Sequence, residues 1–75
     1  MAILKTKLYE LRKERDLSQA DLAALVHVRR ETIGNLENGR YNPSLKLAMD
    51  IAHVFGLPIE SIFYYKEDNY VVYLL

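Results

Sequence analysis

The polar side chains of residues 29–35 are the ones whose types and spacing could support specific chemistry in this 75-residue chain. Arg30, Glu31 and Asn35 fall on the outward side of a predicted helix, because its apolar positions, Ile33 and Leu36, share the other side. A guanidinium donates two parallel hydrogen bonds, a carboxylate accepts them, and a carboxamide does both. These residue types therefore predict a hydrogen-bonding surface on one short helix.

Catalysis and metal binding are not predicted. The sequence contains no Ser/His/Asp set, no paired acids, no glycine loop that would cradle phosphate, and no cysteine. His27 and His53 stand far apart without partner ligands, so both are expected on helix surfaces. We therefore predict a protein that is not an enzyme and that needs neither a metal nor a cofactor.

Composition sets broad limits on the class of protein. A hydrophobic fraction of 51% suits one packed domain spanning residues 1–75 and is too high for a disordered chain. The net charge is zero, but residues 1–41 carry eight basic and six acidic side chains, a mild positive excess. The chain has no long apolar run and no leader-like N-terminus, which predicts a cytoplasmic protein without membrane association.

Helical periodicity and end signals predict five helices, over residues 6–15, 18–26, 29–37, 45–55 and 58–63. Ser18 and Ser44 are expected N-caps, and Gly56 is expected to end the fourth helix. The start of the first helix is ambiguous, because residues 2–4 could instead be extended. The fourth helix is expected to bury Leu45, Ala48, Ile51, Ala52 and Phe55.

Residues 70–75, Tyr-Val-Val-Tyr-Leu-Leu, have the β-branched and aromatic composition of a strand. A lone strand needs a partner. The N-terminal segment at residues 2–4 of the same chain is one candidate, and the same strand in a second copy is the other. The fold class is thus all-α, with a short antiparallel β-ribbon formed by the N- and C-terminal segments.

From Leu8 through Phe63 the sequence resembles the Cro/phage-repressor (XRE-type) family of helix-turn-helix DNA-binding proteins. The resemblance lies in the combination of Leu-Ser-Gln-x-x-Leu-Ala (17–23), Thr-Ile-x-x-Leu-Glu-Asn-Gly (32–39), Pro-Ser-Leu (43–45) and Ala-x-x-Phe-Gly (52–56). It implies a five-helix, lambda-repressor-like fold. The second helix would cross the DNA backbone, while the third would lie in the major groove.

The resemblance also implies roles for individual residues. Base contacts are expected from the exposed side of the third helix, although Glu31 could instead hold Arg30 or repel phosphate. Phosphate contacts are expected around it, and a partly buried salt bridge should join the first helix to the end of the third. The base set is Arg29, Arg30, Glu31 and Asn35; the phosphate set is Gln19, Thr32, Asn38, Arg40, Asn42 and Lys46; the salt bridge is Arg12 with Glu37.

Two positions depart from the family pattern. His27 occupies the turn position that usually holds glycine, where a left-handed backbone is expected; histidine is among the more tolerant residues there. Arg29 stands where a Ser or Thr usually caps the third helix, and it cannot cap. Both departures weaken the turn.

The function expected from the resemblance is a transcriptional repressor that binds a palindromic double-stranded DNA operator as a homodimer. No small-molecule effector is evident. The alternative is a protein-interaction module, such as an antitoxin-like factor, that acts through its C-terminal strand. The expected dimer surface comprises Ile59, Phe63, Tyr64, Tyr65, Tyr70 and Val72.

Overall fold

The computed structural model describes residues 2–67 of the chain and contains four α-helices and a two-stranded antiparallel sheet. Met1 and residues 68–75, including the predicted strand 70–75, lie outside the described residues. The elements in chain order are β1 (Ala2–Thr6), α1 (Leu8–Glu14), α2 (Gln19–Leu25), α3 (Arg30–Glu37), α4 (Leu45–Phe55), one 3₁₀ turn (Ile59–Ser61) and β2 (Phe63–Glu67).

The predicted N-caps at Ser18 and Ser44 are confirmed. The Ser18 hydroxyl accepts the Asp21 N–H at 2.9 Å, while the Asp21 carboxylate accepts the Ser18 N–H at 2.9 Å. Because the Ser18 backbone N–H and then its hydroxyl favour the charged carboxylate, the pKa of Asp21 lies below its ordinary value. The Ser44 hydroxyl accepts the Leu47 N–H at 3.1 Å, and Gly56 ends α4 at φ 66° as predicted.

The core lies where α1, α2, α3, α4 and the 3₁₀ turn converge. Five side chains within it are fully buried: Leu8, Leu22, Ile33, Ile51 and Ile62.

The prediction that Leu45 is buried was wrong, since its side chain is 73% exposed; Leu47 is buried in its place. Leu45 is the first residue of α4, and a helical side chain leans toward the N-terminus. It therefore extends over the preceding loop, away from the core.

The predicted fifth helix, 58–63, was also wrong. Its backbone forms only the 3₁₀ turn, with the Ser61 N–H donating to the Pro58 carbonyl at 3.0 Å. The Ile62 carbonyl accepts the Lys7 N–H at 2.8 Å and the Thr6 hydroxyl at 3.0 Å. These two bonds hold Ile62 against the junction of β1 and α1. The segment that follows therefore continues as strand β2 and not as a helix.

β1 and β2 pair in antiparallel register, with Thr6 opposite Phe63 and Leu4 opposite Tyr65. The N-terminal segment is therefore extended through Thr6, and α1 begins at Leu8, two residues after the predicted start. Its partner is residues 63–67, a segment that the sequence had predicted to end a helix and lead into a turn. The pairing of residues 70–75, predicted with the N-terminal segment or with a second copy, is not tested, because those residues lie outside the described range. Within the described residues the pairing runs from Thr6–Phe63 to Ala2–Glu67.

Candidate nucleic-acid interface

A four-residue turn holds α2 and α3 in a fixed relation. His27 adopts φ 60°, which is the left-handed conformation expected at this position. The Val28 N–H donates to the Ala23 carbonyl at 3.0 Å and closes the end of α2. Arg29 precedes α3 in extended conformation and provides no side-chain cap. The turn is therefore set by backbone bonds and by one residue at positive φ.

α3 has one buried and one solvent-facing side. Ile33 is fully buried and Leu36 is 2% exposed, so they anchor the helix against the core. The four predicted base-contact residues lie away from that anchor: Arg29, Arg30 and Glu31 are exposed, and Asn35 is half-buried. Thr32, expected to contact phosphate, is also half-buried.

Arg12 and Glu37 form a buried ion pair between α1 and the end of α3, where the resemblance places one. Arg12 Nε donates to Glu37 Oε2 at 2.6 Å and Nη2 donates to Oε1 at 3.1 Å. The two side chains are 7% and 4% exposed. The bond to Glu37 raises the pKa of the Arg12 guanidinium above its ordinary value, although burial opposes the shift. Arg12 Nη1 also donates to the Leu17 carbonyl at 2.8 Å.

Gln19 lies between this pair and Arg30. Its Nε2 donates to Glu37 Oε1 at 3.1 Å, and its Oε1 accepts from Arg30 Nη1 at 3.3 Å. The family resemblance implies that a glutamine at this position supports the third helix as well as contacting phosphate. The specific partners, 11 and 18 positions further along the chain, follow only from the tertiary arrangement.

Arg30 faces a second polar neighbour on its other side. Its Nη2 stands 3.6 Å from Glu31 Oε1, and both side chains are more than half exposed. An exposed pair of this kind contributes little to stability.

The loop after α3 presents three of the predicted phosphate-contact residues. Asn38, Arg40 and Asn42 are all exposed. Gly39 adopts φ 70°, and the Arg40 N–H donates to the Asn35 carbonyl at 2.9 Å. Lys46, in the first turn of α4, is 82% exposed and pairs with Asp50 at 2.6 Å. The loop thus carries polar and basic groups directly beyond the end of α3.

A separate apolar groove of about 580 Å³ lies between the ribbon, the 3₁₀ turn and the start of α4. Of the residues predicted for a dimer surface, Ile59, Tyr64 and Tyr65 line it with exposed or half-buried side chains. Phe63 also borders the groove, but its side chain is 7% exposed and packs in the core. Tyr70 and Val72 lie outside the described residues. Leu45, which the sequence assigned to the core, contributes its exposed side chain here.

Residues 2–67 contain no cluster of three or more His, Asp or Glu side chains able to hold a metal ion. None of the helices in the same range is long and apolar enough to cross a membrane.

The sequence comparisons with known proteins agree on one family. A helix-turn-helix family model matches residues 8–62. A protein of Archaeoglobus fulgidus named as an uncharacterized HTH-type transcriptional regulator is 51% identical over 66 residues, covering 88% of this chain and 93% of that one. The immunity repressor protein of Bacillus phage phi105 is 36% identical over 52 residues, covering 69% of this chain and 36% of the repressor.

Solved structures with the same arrangement belong to proteins of different activity. The restriction-modification controller protein C.AhdI from Aeromonas hydrophila matches with a TM-score of 0.67 and 33% identity, over 72% of this chain and 82% of that one. Hydroxypropylphosphonic acid epoxidase from S. wedmorenis matches with a TM-score of 0.66 and 33% identity. This chain covers 29% of the epoxidase, so the likeness concerns only part of that enzyme.

Proposed function

The chain belongs to the XRE-type helix-turn-helix family of transcriptional regulators, and from that premise we propose that it is a repressor that binds a palindromic operator as a homodimer. The observation that carries the proposal is the construction of α3. Its apolar side is anchored by Ile33 and Leu36, while Arg29, Arg30 and Glu31 stand exposed beside a short turn. A helix held in this way can enter the major groove, where base edges carry a distinguishable pattern of donors and acceptors.

We assign sequence readout to Arg29, Arg30, Glu31 and Asn35. Arginine can donate both hydrogen bonds to guanine O6 and N7, and asparagine can pair with adenine in the same two-pronged way. Glu31 can accept from cytosine N4. The exposure of the three N-terminal residues and the half-burial of Asn35 are compatible with these roles.

Phosphate contacts position the protein on the duplex without reading its sequence. The residues proposed for these contacts are Gln19 at the start of α2, Thr32 on α3, Asn38, Arg40 and Asn42 in the following loop, and Lys46 in α4. Their polar or cationic side chains are exposed or half-buried, which supports the assignment. Lys46 would exchange its bond to Asp50 for one to a phosphate oxygen.

The homodimer is proposed to form through the apolar groove. The side chains in contact with a second copy would be Ile59, Tyr64, Tyr65 and the exposed Leu45. One small domain makes few base contacts, so two half-sites about one helical turn apart would supply specific affinity. Repression is supported by the phage relative that is named as an immunity repressor. Relatives named as transcriptional regulators favour a role without catalysis.

Selection of bound duplexes from a random DNA pool, followed by salt titration of the selected sequence, tests this function. We expect a palindromic consensus whose affinity falls linearly on a log–log plot as salt rises, because phosphate contacts release counterions. Arg30→Glu should abolish selection from the pool. Failure of the folded wild-type protein to enrich any sequence at low salt would overturn the proposal.

The sequence-based alternative, capture of a protein partner through residues 70–75, concerns residues outside the described range. Deleting residues 70–75 separates the two functions. Retention of DNA selection after the deletion, together with its loss in Arg30→Glu, would assign activity to α3. The opposite pattern would favour the partner model.

A further inference from the structure

The ribbon formed by β1 and β2 has an inner and an outer face, because successive side chains of a strand point to opposite sides. Phe63 is 7% exposed and, like the half-buried Leu4, packs against the core, so these two residues define the inner face. The register therefore places Lys5 and Lys66 on the outer face, and both are exposed. Lys7 continues the alternation directly after β1 and is exposed as well. The outer face thus presents three lysines.

An aromatic ring helps to hold one of these lysines on the outer face. Lys7 Nζ lies 5.7 Å from the centroid of the Tyr64 ring, and Tyr64 stands directly opposite Lys5 in the register. A cation over an aromatic ring at an exposed site is held weakly and keeps its contact with water. The charge of Lys7 therefore stays accessible to an anion from solution.

Carboxylates do not offset the charge of the outer face within residues 3–66, whose side chains the structure describes. The ion pairs in that range join Arg12 to Glu37, Arg30 to Glu31 and Lys46 to Asp50, and none includes a lysine of the ribbon. The chain as a whole has a net charge of zero. A surface that carries charges of one sign attracts ions and polymers of the opposite sign. The outer face is therefore suited to a polyanion.

The ribbon lies beside the loop that follows α3. Ile3 and Lys5 of β1 line a cavity of about 250 Å³ together with Gly39 and Tyr41 of the loop. Arg40, between these two loop residues, is exposed and is among the residues proposed to contact phosphate. The basic surface that begins at Arg40 therefore continues onto the ribbon.

The spacing of the three lysines matches that of a nucleic-acid backbone. Lys66 pairs with Ile3, which is four residues from Lys7 along the ribbon. At about 3.4 Å per residue, the lysines are spread over ~14 Å. One strand of B-DNA carries a phosphate about every 3.4 Å along the helix axis, so this length faces about four phosphates. Three cations at this spacing can follow one backbone.

We propose that Lys5, Lys7 and Lys66 form a second phosphate-binding surface, which contacts the DNA backbone beyond the base pairs that α3 reads. The inference rests on the proposed function, because it requires the loop after α3 to lie on DNA. All three lysines fall outside residues 8–62, the part of the chain that the family model matches. The contacts lengthen the stretch of duplex that is bound, and they add affinity without reading sequence.

Ethylation interference on the selected operator locates the phosphates that the wild-type protein contacts. Lys5→Gln, Lys7→Gln and Lys66→Gln are combined in one variant, which keeps polar side chains but removes their charge. We expect this glutamine variant to lose interference at about three or four phosphates per half-site. The phosphates contacted by the remaining residues should still interfere.

Salt titration of the same duplex measures the contacts independently. Each phosphate contact contributes about 0.9 to the slope of log affinity against log salt. Loss of three contacts from each copy of a homodimer should therefore make the slope of the glutamine variant shallower by about 5. The preference for the operator over its single-base variants should change by less than about twofold, because phosphates carry no sequence information.

Replacement of the same three lysines by arginine provides the matched control, because it keeps a positive charge at each position. The arginine variant should retain the wild-type interference pattern and salt slope. Lys5→Gln alone is a less perturbing variant, which should lose the interference nearest to the loop. Circular dichroism and sedimentation equilibrium verify that every variant folds and associates as the wild-type protein does.

The outcomes separate the inference from the function on which it rests. An unchanged interference pattern in the glutamine variant would overturn the inference alone, even with a lower affinity, because a loss without local contacts reflects only long-range attraction. A salt slope equal to that of the wild-type protein would overturn it as well. Failure of the wild-type protein to select any sequence would overturn the proposed function and the inference with it.

Discussion

At the residue scale, Glu37 is the acceptor on which several contacts converge. It joins Arg12 on α1 to Gln19 at the start of α2, and it is itself the last residue of α3. Both charges of the ion pair are almost fully buried. Such a pair contributes little compared with apolar residues of the same size, but loss of one partner leaves the other charge buried and uncompensated.

Glu37→Gln is therefore expected to lower the free energy of unfolding by about 3–5 kcal/mol. Urea denaturation followed by circular dichroism measures the change. Glu31→Gln is the matched control, because it alters the same chemistry on the same helix where the side chain is 65% exposed. Glu31→Gln should lower the free energy of unfolding by about 1 kcal/mol or less. Equal losses in the two variants would contradict the role assigned to the buried pair.

At the element scale, the turn between α2 and α3 depends on an unusual residue. His27 adopts φ 60° at the position where the family pattern has glycine. A side chain in the left-handed region costs roughly 1–2 kcal/mol, and glycine avoids that strain. Glycine also loses more backbone entropy on folding, which offsets part of the gain.

His27→Gly is expected to raise the free energy of unfolding by about 0.5–1 kcal/mol, since relief of strain exceeds the entropic loss. His53→Gly makes the same substitution inside α4 and should instead lower it by about 0.5 kcal/mol, because glycine is a poor helix former. Thermal and urea unfolding of both variants measure whether each substitution raises or lowers the free energy of unfolding. A loss of stability in His27→Gly would show that histidine makes favourable contacts in the turn.

At the scale of the whole molecule, two surfaces of different chemistry meet at the loop after α3. The polar surface of α3 continues into the loop at Arg40 and Asn42. The apolar groove begins at Asn42 and Pro43 and includes the exposed Leu45 and Tyr65. A second copy in the groove would therefore lie next to the loop proposed to contact phosphate.

Leu45→Lys is expected to weaken the proposed dimer at least tenfold, because burying a leucine contributes about 1.5–3 kcal/mol and a symmetric interface contains it twice. Sedimentation equilibrium without DNA measures the dimer dissociation constant. Leu25→Lys is the control, since it adds the same charge at a leucine on α2 that is 54% exposed and does not line the groove. Unchanged association in Leu45→Lys would place the dimer contact elsewhere.

Local features of the sequence sufficed for most of the helical fold. The caps at Ser18 and Ser44, the glycine after α4 and the apolar positions Ile33 and Leu36 indicate α2, α3 and α4, because periodicity and end signals act within a few residues. The left-handed backbone at His27 was expected from the family resemblance and not from local periodicity. The left-handed Asp16 at the end of α1 was missed, since aspartate tolerates many other conformations.

The tertiary structure decided what depends on distant neighbours. The bonds from Lys7 and Thr6 to the Ile62 carbonyl reduce the predicted fifth helix to one turn and begin β2. The pairing of residues 2–6 with 63–67 also depends on residues far apart in the sequence. So does the exposure of Leu45, because burial is decided by which residues pack around a side chain. The bridge from Glu37 through Gln19 to Arg30 joins α2 to both ends of α3, and hydrogen-bond partners so far apart leave no periodic signal in a single sequence. The sequence by itself determined the four α-helices, apart from their exact ends, and that α3 is polar on one side, because those signals are local. Packing decided the end of the chain after Pro58 and how the side chains of α3 are held, because both depend on distant residues.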